Sequence, residues 1–130
     1  MKVYQVEVGV LLNENDEEYG SYNIAYDEKY GYYNENLWFC KTYDLAKETA
    51  LRYVNKGVEK TYAIISDIGE VNDDDFNINE YGNIIDKETG YDLDNEFTNY
   101  NLDCVVKAYK KENGIVVEDF VNCKEKKLYV

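Results

Sequence analysis

The sequence predicts an α+β fold: an antiparallel β-sheet of about five to six strands, one main α-helix at about residues 43–56 packed on one face, and an acidic hairpin insertion. Three observations carry this expectation. Apolar and polar side chains alternate in the first segment, as a half-buried strand requires. A strong helical period occurs in one stretch only. The expected order, three strands, a helix and three strands, lacks the strict alternation of a parallel α/β fold. At 130 residues and 45% hydrophobic side chains, the chain has single-domain length and the material for one core. A single domain over 1–130 is expected, with the acidic insertion at about 70–103.

In the first segment Tyr4, Val6, Val8 and Val10 share one face, and Val3, Gln5 and Glu7 share the other. Residues 13–20, NENDEEYG, form a polar loop, and SYNIAY then alternates again, so residues 2–26 read as a hairpin with a long acidic tip. NLWFC at 36–40 reads as a third strand and carries the only tryptophan. For the helix, Thr42 is the expected N-cap and Asp44 lies in the first turn, where the helix dipole favours an anion. Leu45, Ala46, Ala50, Tyr53 and Val54 form its apolar stripe, Glu48 and Arg52 form a surface pair, and Gly57 ends it. TYAIIS at 61–66 is a continuous apolar run suited to a central strand.

Beyond residue 70 the periodicity weakens. Turn chemistry on both sides of Ile84 and Ile85 predicts a small acidic hairpin. A cleaner hairpin follows over 103–121, with ENG as its turn, and KKLYV is expected to add an edge strand. Tyr4, Tyr53, Tyr62 and Tyr109 are assigned to the core side or the sheet.

The charge is segregated. Of a net −13, residues 70–103 hold eleven acidic side chains and one lysine, while residues 41–69 and 104–130 are slightly basic. The chain has no histidine, which removes Ser-His and Cys-His nucleophile pairs, and its scattered glycines form no phosphate loop. No catalytic residues are expected. Cys40, Cys104 and Cys123 are too few and too widely spaced for a disulfide framework or a zinc site, and free thiols in a reducing cytosol are expected. Asp75, Asn77 and Asn79 match the opening ligands of a calcium-binding EF-hand loop. The match then fails: Glu80 stands where the turn glycine belongs and Asp86 replaces the bidentate glutamate. Asp92, Asp94 and Glu96 alternate as if to share one strand face. The expectation is therefore no cofactor and no metal, with a calcium-binding or structural adaptor module as the alternative reading. MKVYQVEVGV is not a signal peptide and no apolar run is long enough for a membrane span, so a cytoplasmic protein with no membrane partner is expected. The absence of proline and histidine, the single arginine and the abundance of Asn, Lys, Ile and Tyr suggest an AT-rich bacterial or phage genome.

The segment LAKETALRYVNKGVEKTYAIIS (45–66) resembles a helix-to-strand unit of uncharacterised proteins from Gram-positive bacteria and their phages. In size and composition the chain resembles small acidic phage anti-defence proteins of the DNA-mimic, anti-CRISPR and anti-restriction type. The residues carrying that likeness are Asp16, Glu17, Glu18, Asp73, Asp74, Asp75, Glu80, Asp92, Asp94 and Glu96. The resemblance implies a non-enzymatic inhibitor engaged in host–virus interaction inside a bacterial cell. Its partner would be a basic nucleic-acid-binding protein such as a CRISPR effector or restriction enzyme.

Physics agrees on the partner's sign. Phosphate backbones demand cationic surfaces, so direct nucleic-acid binding is excluded, while a dense anionic surface is steered toward a basic groove. Tyrosine is favoured at interfaces because it combines large area with low entropy loss, and among the 15 present, Tyr81 and Tyr91 flank the acids. The expected partner-binding set therefore comprises the ten acids and these two tyrosines. A soluble anionic surface without a partner, and a sponge for a small signalling molecule, are the competing readings.

Overall fold

A computed structural model describes residues 1–10, 37–99 and 102–118. Five strands form one antiparallel sheet in the order β2-β1-β3-β6-β7: β1 (Lys2–Val10), β2 (Leu37–Cys40), β3 (Thr61–Glu70), β6 (Val105–Glu112) and β7 (Ile115–Glu118). One main helix, α1 (Tyr43–Lys56), packs on one face, and β4 (Phe76–Ile78) pairs with β5 (Ile84–Asp86) as a separate two-stranded sheet. A one-turn helix, α2 (Asp94–Phe97), and a 3₁₀ turn at Leu102–Cys104 complete the described elements. The α+β class, the antiparallel sheet and the helix bounds are those expected.

Local chemistry accounts for the regular parts. Thr42 Oγ1 accepts a hydrogen bond from the Leu45 amide at 3.1 Å, and Asp44 lies in the first turn of α1. The β6–β7 turn places Asn113 and Gly114 at positive φ, the pattern of a type I′ hairpin turn. Glu59 accepts the amides of both turn residues, and Lys111 Nζ donates to the Asn55 carbonyl in the last turn of α1 and to that of Gly57 just after it, which ties the hairpin to the helix end. Gly57 itself has φ −75°, so left-handed freedom is not its purpose; a Cβ there would meet Thr61 Oγ1 at 2.3 Å.

The sheet is covered on both faces. On the helix side Val6, Val8, Ala63, Ile65 and Tyr109 meet Ala46, Ala50 and Val54. On the other, Val3, Phe39, Val71 and Ile84 form a second buried cluster, joined by Phe76, Ile78 and Phe97 from the insertion. The face carrying Gln5 and Glu7, expected from its polar residues to meet water, is therefore interior: Gln5 is fully buried and Glu7 is 5% exposed. Gln5 behaves as a backbone surrogate, donating to the Asn99 carbonyl at 2.9 Å and accepting the Asn99 amide at 2.7 Å.

Three further expectations are corrected. The hairpin over 2–26 cannot form along Tyr4–Glu7, because β2 pairs with that edge of β1 and β3 with the other; residues 21–26 lie outside the described residues. Leu45 does not join the buried stripe but is 47% exposed, and Thr49 takes its place. Arg52 makes no ion pair with Glu48; its guanidinium lies 5.1 Å from the Tyr53 ring centre. Of the other expectations, residues 13–20 and 119–130 lie outside the described residues, including the KKLYV strand, Phe120 and Cys123.

One glycine holds the insertion against β2. Gly82 has φ +79°, its carbonyl accepts the Phe39 amide at 2.9 Å, and a Cβ there would meet Trp38 Cδ1 at 2.9 Å. Gly82→Ala is expected to cost about 2 kcal/mol from backbone strain and the clash together, measurable by denaturant titration. The equivalent change at Gly114, where nothing lies within 4 Å of a built Cβ, isolates the strain alone.

Candidate binding surface

Apart from Glu70, which ends β3, the acidic residues of 70–99 ride on the β4–β5 unit and its flanking turns, which hydrogen-bond to themselves. Asn72 Oδ1 accepts the Asp74 amide at 3.0 Å, and Asn79 Oδ1 accepts those of Tyr81 and Asn83 at 3.0 and 2.9 Å. Asp86 Oδ1 accepts from Glu88 and Thr89, and Asp92 Oδ1 accepts from Asp94 at 2.8 Å. Short polar side chains that satisfy the local backbone favour such turns, which explains much of the Asn and Asp content here.

The acids consequently divide by role. Asp94 is half-buried; its carboxylate accepts the Ile84 amide at 2.6 Å and the Asn83 side-chain amide at 2.8 Å, locking α2 to β5. Burial raises its pKa, with those two hydrogen bonds opposing the shift. Asp92 also receives the Asn83 amide, at 3.3 Å. Asp73, Asp74, Asp75, Glu80, Asp92 and Glu96 are exposed, as are Tyr81 at 70% and Tyr91 at 71%. Asp73 lies 3.9 Å from the Met1 amino group, and Lys87 Nζ donates to the Asp73 carbonyl at 2.5 Å. A cleft of about 450 Å³ between Asp74, Asp75, Asp86 and Glu88 gathers further carboxylates beside Lys87. Asp16, Glu17 and Glu18 lie outside the described residues.

Asp92, Asp94 and Glu96 do not alternate along a strand as expected. Asp94–Phe97 is a helical turn and Asp92 forms an isolated bridge with Ile85. Among the described residues no group of three or more acidic or cysteine side chains converges to hold a metal ion. Cys40 and Cys104 are free thiols, and burial raises the pKa of Cys40 against the opposing influence of Thr49 and Arg52. Among the described residues no helix is long and apolar enough to cross a membrane.

Two features were not singled out from sequence. Glu7 is a carboxylic acid deep in the sheet, and burial alone pushes its pKa up to about 8. A second cleft, of about 480 Å³, opens between α1 and the 79–82 turn, with Trp38, Tyr53, Arg52 and Tyr81 in its walls. Arg52 carried a signal, being the only arginine in the chain. Glu7 carried none, because its neighbours in sequence fit a solvent-facing strand edge equally well.

No family model, curated protein or solved structure matches this chain.

Proposed function

We propose that this protein is a non-catalytic inhibitor of the DNA-mimic type, whose acidic, tyrosine-bearing surface occupies the basic channel of a bacterial nucleic-acid-binding defence enzyme. The observation that supports this most is the mounting of the charge. Residues 70–99 hold ten carboxylates and one lysine, and they are fastened to the sheet by the Phe39–Ile84 core, by Gln5 on Asn99 and by Gly82 on Phe39. Charges fixed before binding lose little freedom on docking, whereas a floppy acidic tail must be ordered at the moment of contact.

Asp73, Asp74, Asp75, Glu80, Asp92 and Glu96 take the place of phosphates in this reading, with Asp94 as the strut that holds them. Tyr81 and Tyr91 supply apolar contact among them. Electrostatic steering then brings the protein to a cationic groove quickly, and the rate falls as salt screens the field.

Reversing Asp73, Asp74 and Asp75 to lysine tests the proposal, because among the described residues their side chains make one hydrogen bond, from Asn72 to Asp75, and one ion pair, the exposed Asp73 with the Met1 amino group at 3.9 Å. The readout is competition against labelled DNA or guide complex on a purified CRISPR effector or restriction enzyme that the parent protein inhibits. The triple variant is expected to lose about a hundredfold or more in affinity with its melting temperature unchanged. Undiminished inhibition by the variant, or inhibition by the parent that is insensitive to salt, removes the acidic surface from the mechanism.

A further inference from the structure

The cleft between α1 and the 79–82 turn lies on the side of the insertion that faces the helix, and its chemistry differs from that of the acidic surface. Trp38 and Tyr53 stack in its wall, with ring centres 4.2 Å apart and planes 20° apart. Leu45, an exposed leucine on α1, and Tyr81, an exposed tyrosine on the opposite turn, flank them. Among the described residues Arg52 has no carboxylate partner, although acidic side chains outnumber basic ones almost two to one in the chain. Lys41 also lines the cleft, and its Nζ donates to Asn77 Oδ1 on the insertion at 3.3 Å. The Arg52 charge is felt by the Cys40 thiol at the back of the same cleft.

Aromatic walls, a guanidinium that packs 5.1 Å from the Tyr53 ring centre without a carboxylate partner among the described residues, and an ammonium group make a site for one kind of ligand. We infer that this cleft binds a small planar aromatic anion: a ring held between Trp38, which Tyr53 backs, and Tyr81, with its carboxylate or phosphate on Arg52 and Lys41. The volume of about 480 Å³ suits a molecule of nucleotide size or smaller. Arg52 presents a planar fork matched to either anion. Glu80, also in the lining, can accept a hydrogen bond from an exocyclic amine such as that of adenine and disfavours ligands with a second anionic group beside it. The protein's net negative charge opposes anions at long range, but at physiological salt its reach is only about 8 Å. The cleft shares Glu80 and Tyr81 with the surface proposed for mimicry, but the inference does not rest on that reading, and Arg52→Gln tests it through a residue the mimicry does not use.

Trp38 is the only tryptophan in the chain, so its emission reports occupancy of the cleft directly. The intact protein would be titrated with 5′-AMP and with benzoate, and in parallel with their uncharged counterparts adenosine and benzyl alcohol. Saturable quenching by at least one anion is expected, with about tenfold weaker binding of its neutral counterpart and a similar loss in Arg52→Gln. Saturation by AMP alone assigns the site to nucleotides, and saturation by benzoate alone assigns it to aromatic carboxylates. Arg52 is exposed, so the variant keeps its fold, and Tyr81→Ala removes the opposite wall without touching the cation. No saturation with either anion into the millimolar range overturns the inference, as does equal binding by the neutral counterparts or by Arg52→Gln.

Discussion

Glu7→Gln is expected to stabilise the protein at neutral and alkaline pH and to flatten its stability profile. The folded protein holds the Glu7 proton up to about pH 8, against an ordinary value of 4.5. As pH rises from the lower value, the unfolded chain releases that proton first, so stability falls until the folded carboxyl also ionises. At about 1.4 kcal/mol per pKa unit the gap between 4.5 and about 8 corresponds to about 5 kcal/mol in order of magnitude. Stability from this group is thus fully present below the unfolded pKa and lost as pH climbs through the window. Glutamine keeps the shape of the protonated acid and carries no charge to desolvate.

The window is unusually clean, because the chain has no histidine to titrate within it. Asp94, also shifted upward, adds to the slope from its acid end and remains in the variant. Asp67 is shifted the other way by its hydrogen bond and ion pair with Lys2, so its contribution is lost only in acid. Denaturant titrations of the parent and Glu7→Gln across the window measure the difference. A parent whose stability is level through it, or a variant that keeps the parent's slope, contradicts the assignment.

Phe39→Ala is expected to have the largest effect of any apolar truncation, costing about 4 kcal/mol. Phe39 is 1% exposed and sits where β2, β1 and the insertion meet, in the cluster with Val3, Val71 and Ile84. Its amide also donates to the Gly82 carbonyl, so the cavity opens beside the joint that positions the acidic surface. Hydrogen exchange should therefore show the Phe76–Ile78 and Ile84–Asp86 amides losing protection before those of Ala63 and Ile65, whose side chains lie on the helix side. A loss below about 1 kcal/mol, or protection lost evenly over both faces, would show that the insertion is not anchored through this residue.

Much of this architecture was legible along the chain. The α1 limits followed from Thr42 and the 3.6-residue period, and the central strand from the apolar run 61–66, which the structure extends to Thr61–Glu70. The last hairpin followed from its Asn-Gly turn. These are local signals, in which each residue's neighbours in sequence are also its neighbours in space. Tyr62 and Tyr109 are buried as expected, at 0% and 5% exposure, and Tyr81 and Tyr91 project outward.

The candidate sites were less legible. Composition revealed the acidic segment but not its two kinds of carboxylate. Whether Asp94 braces a turn or meets solvent depends on where the Ile84 amide points, ten residues away. Leu45 and Arg52 fit a helical stripe and a helical ion pair by spacing, but the 79–82 turn, far along the chain, forms the opposite wall of their cleft.

By itself the sequence determined the main helix, the central strand, the last hairpin with its turn and the concentration of negative charge, because propensity, period and turn chemistry act over a few residues. Only the tertiary structure decided which side of β1 would be dry. An alternating strand states that its two faces differ, and not whether a later segment will cover the more polar one. Here residues 71–99 do so over Val3 and Gln5, through Val71, Ile84 and Asn99, and apolar burial across a long stretch of chain outweighed the desolvation of the Gln5 side chain, whose amide is satisfied by Asn99.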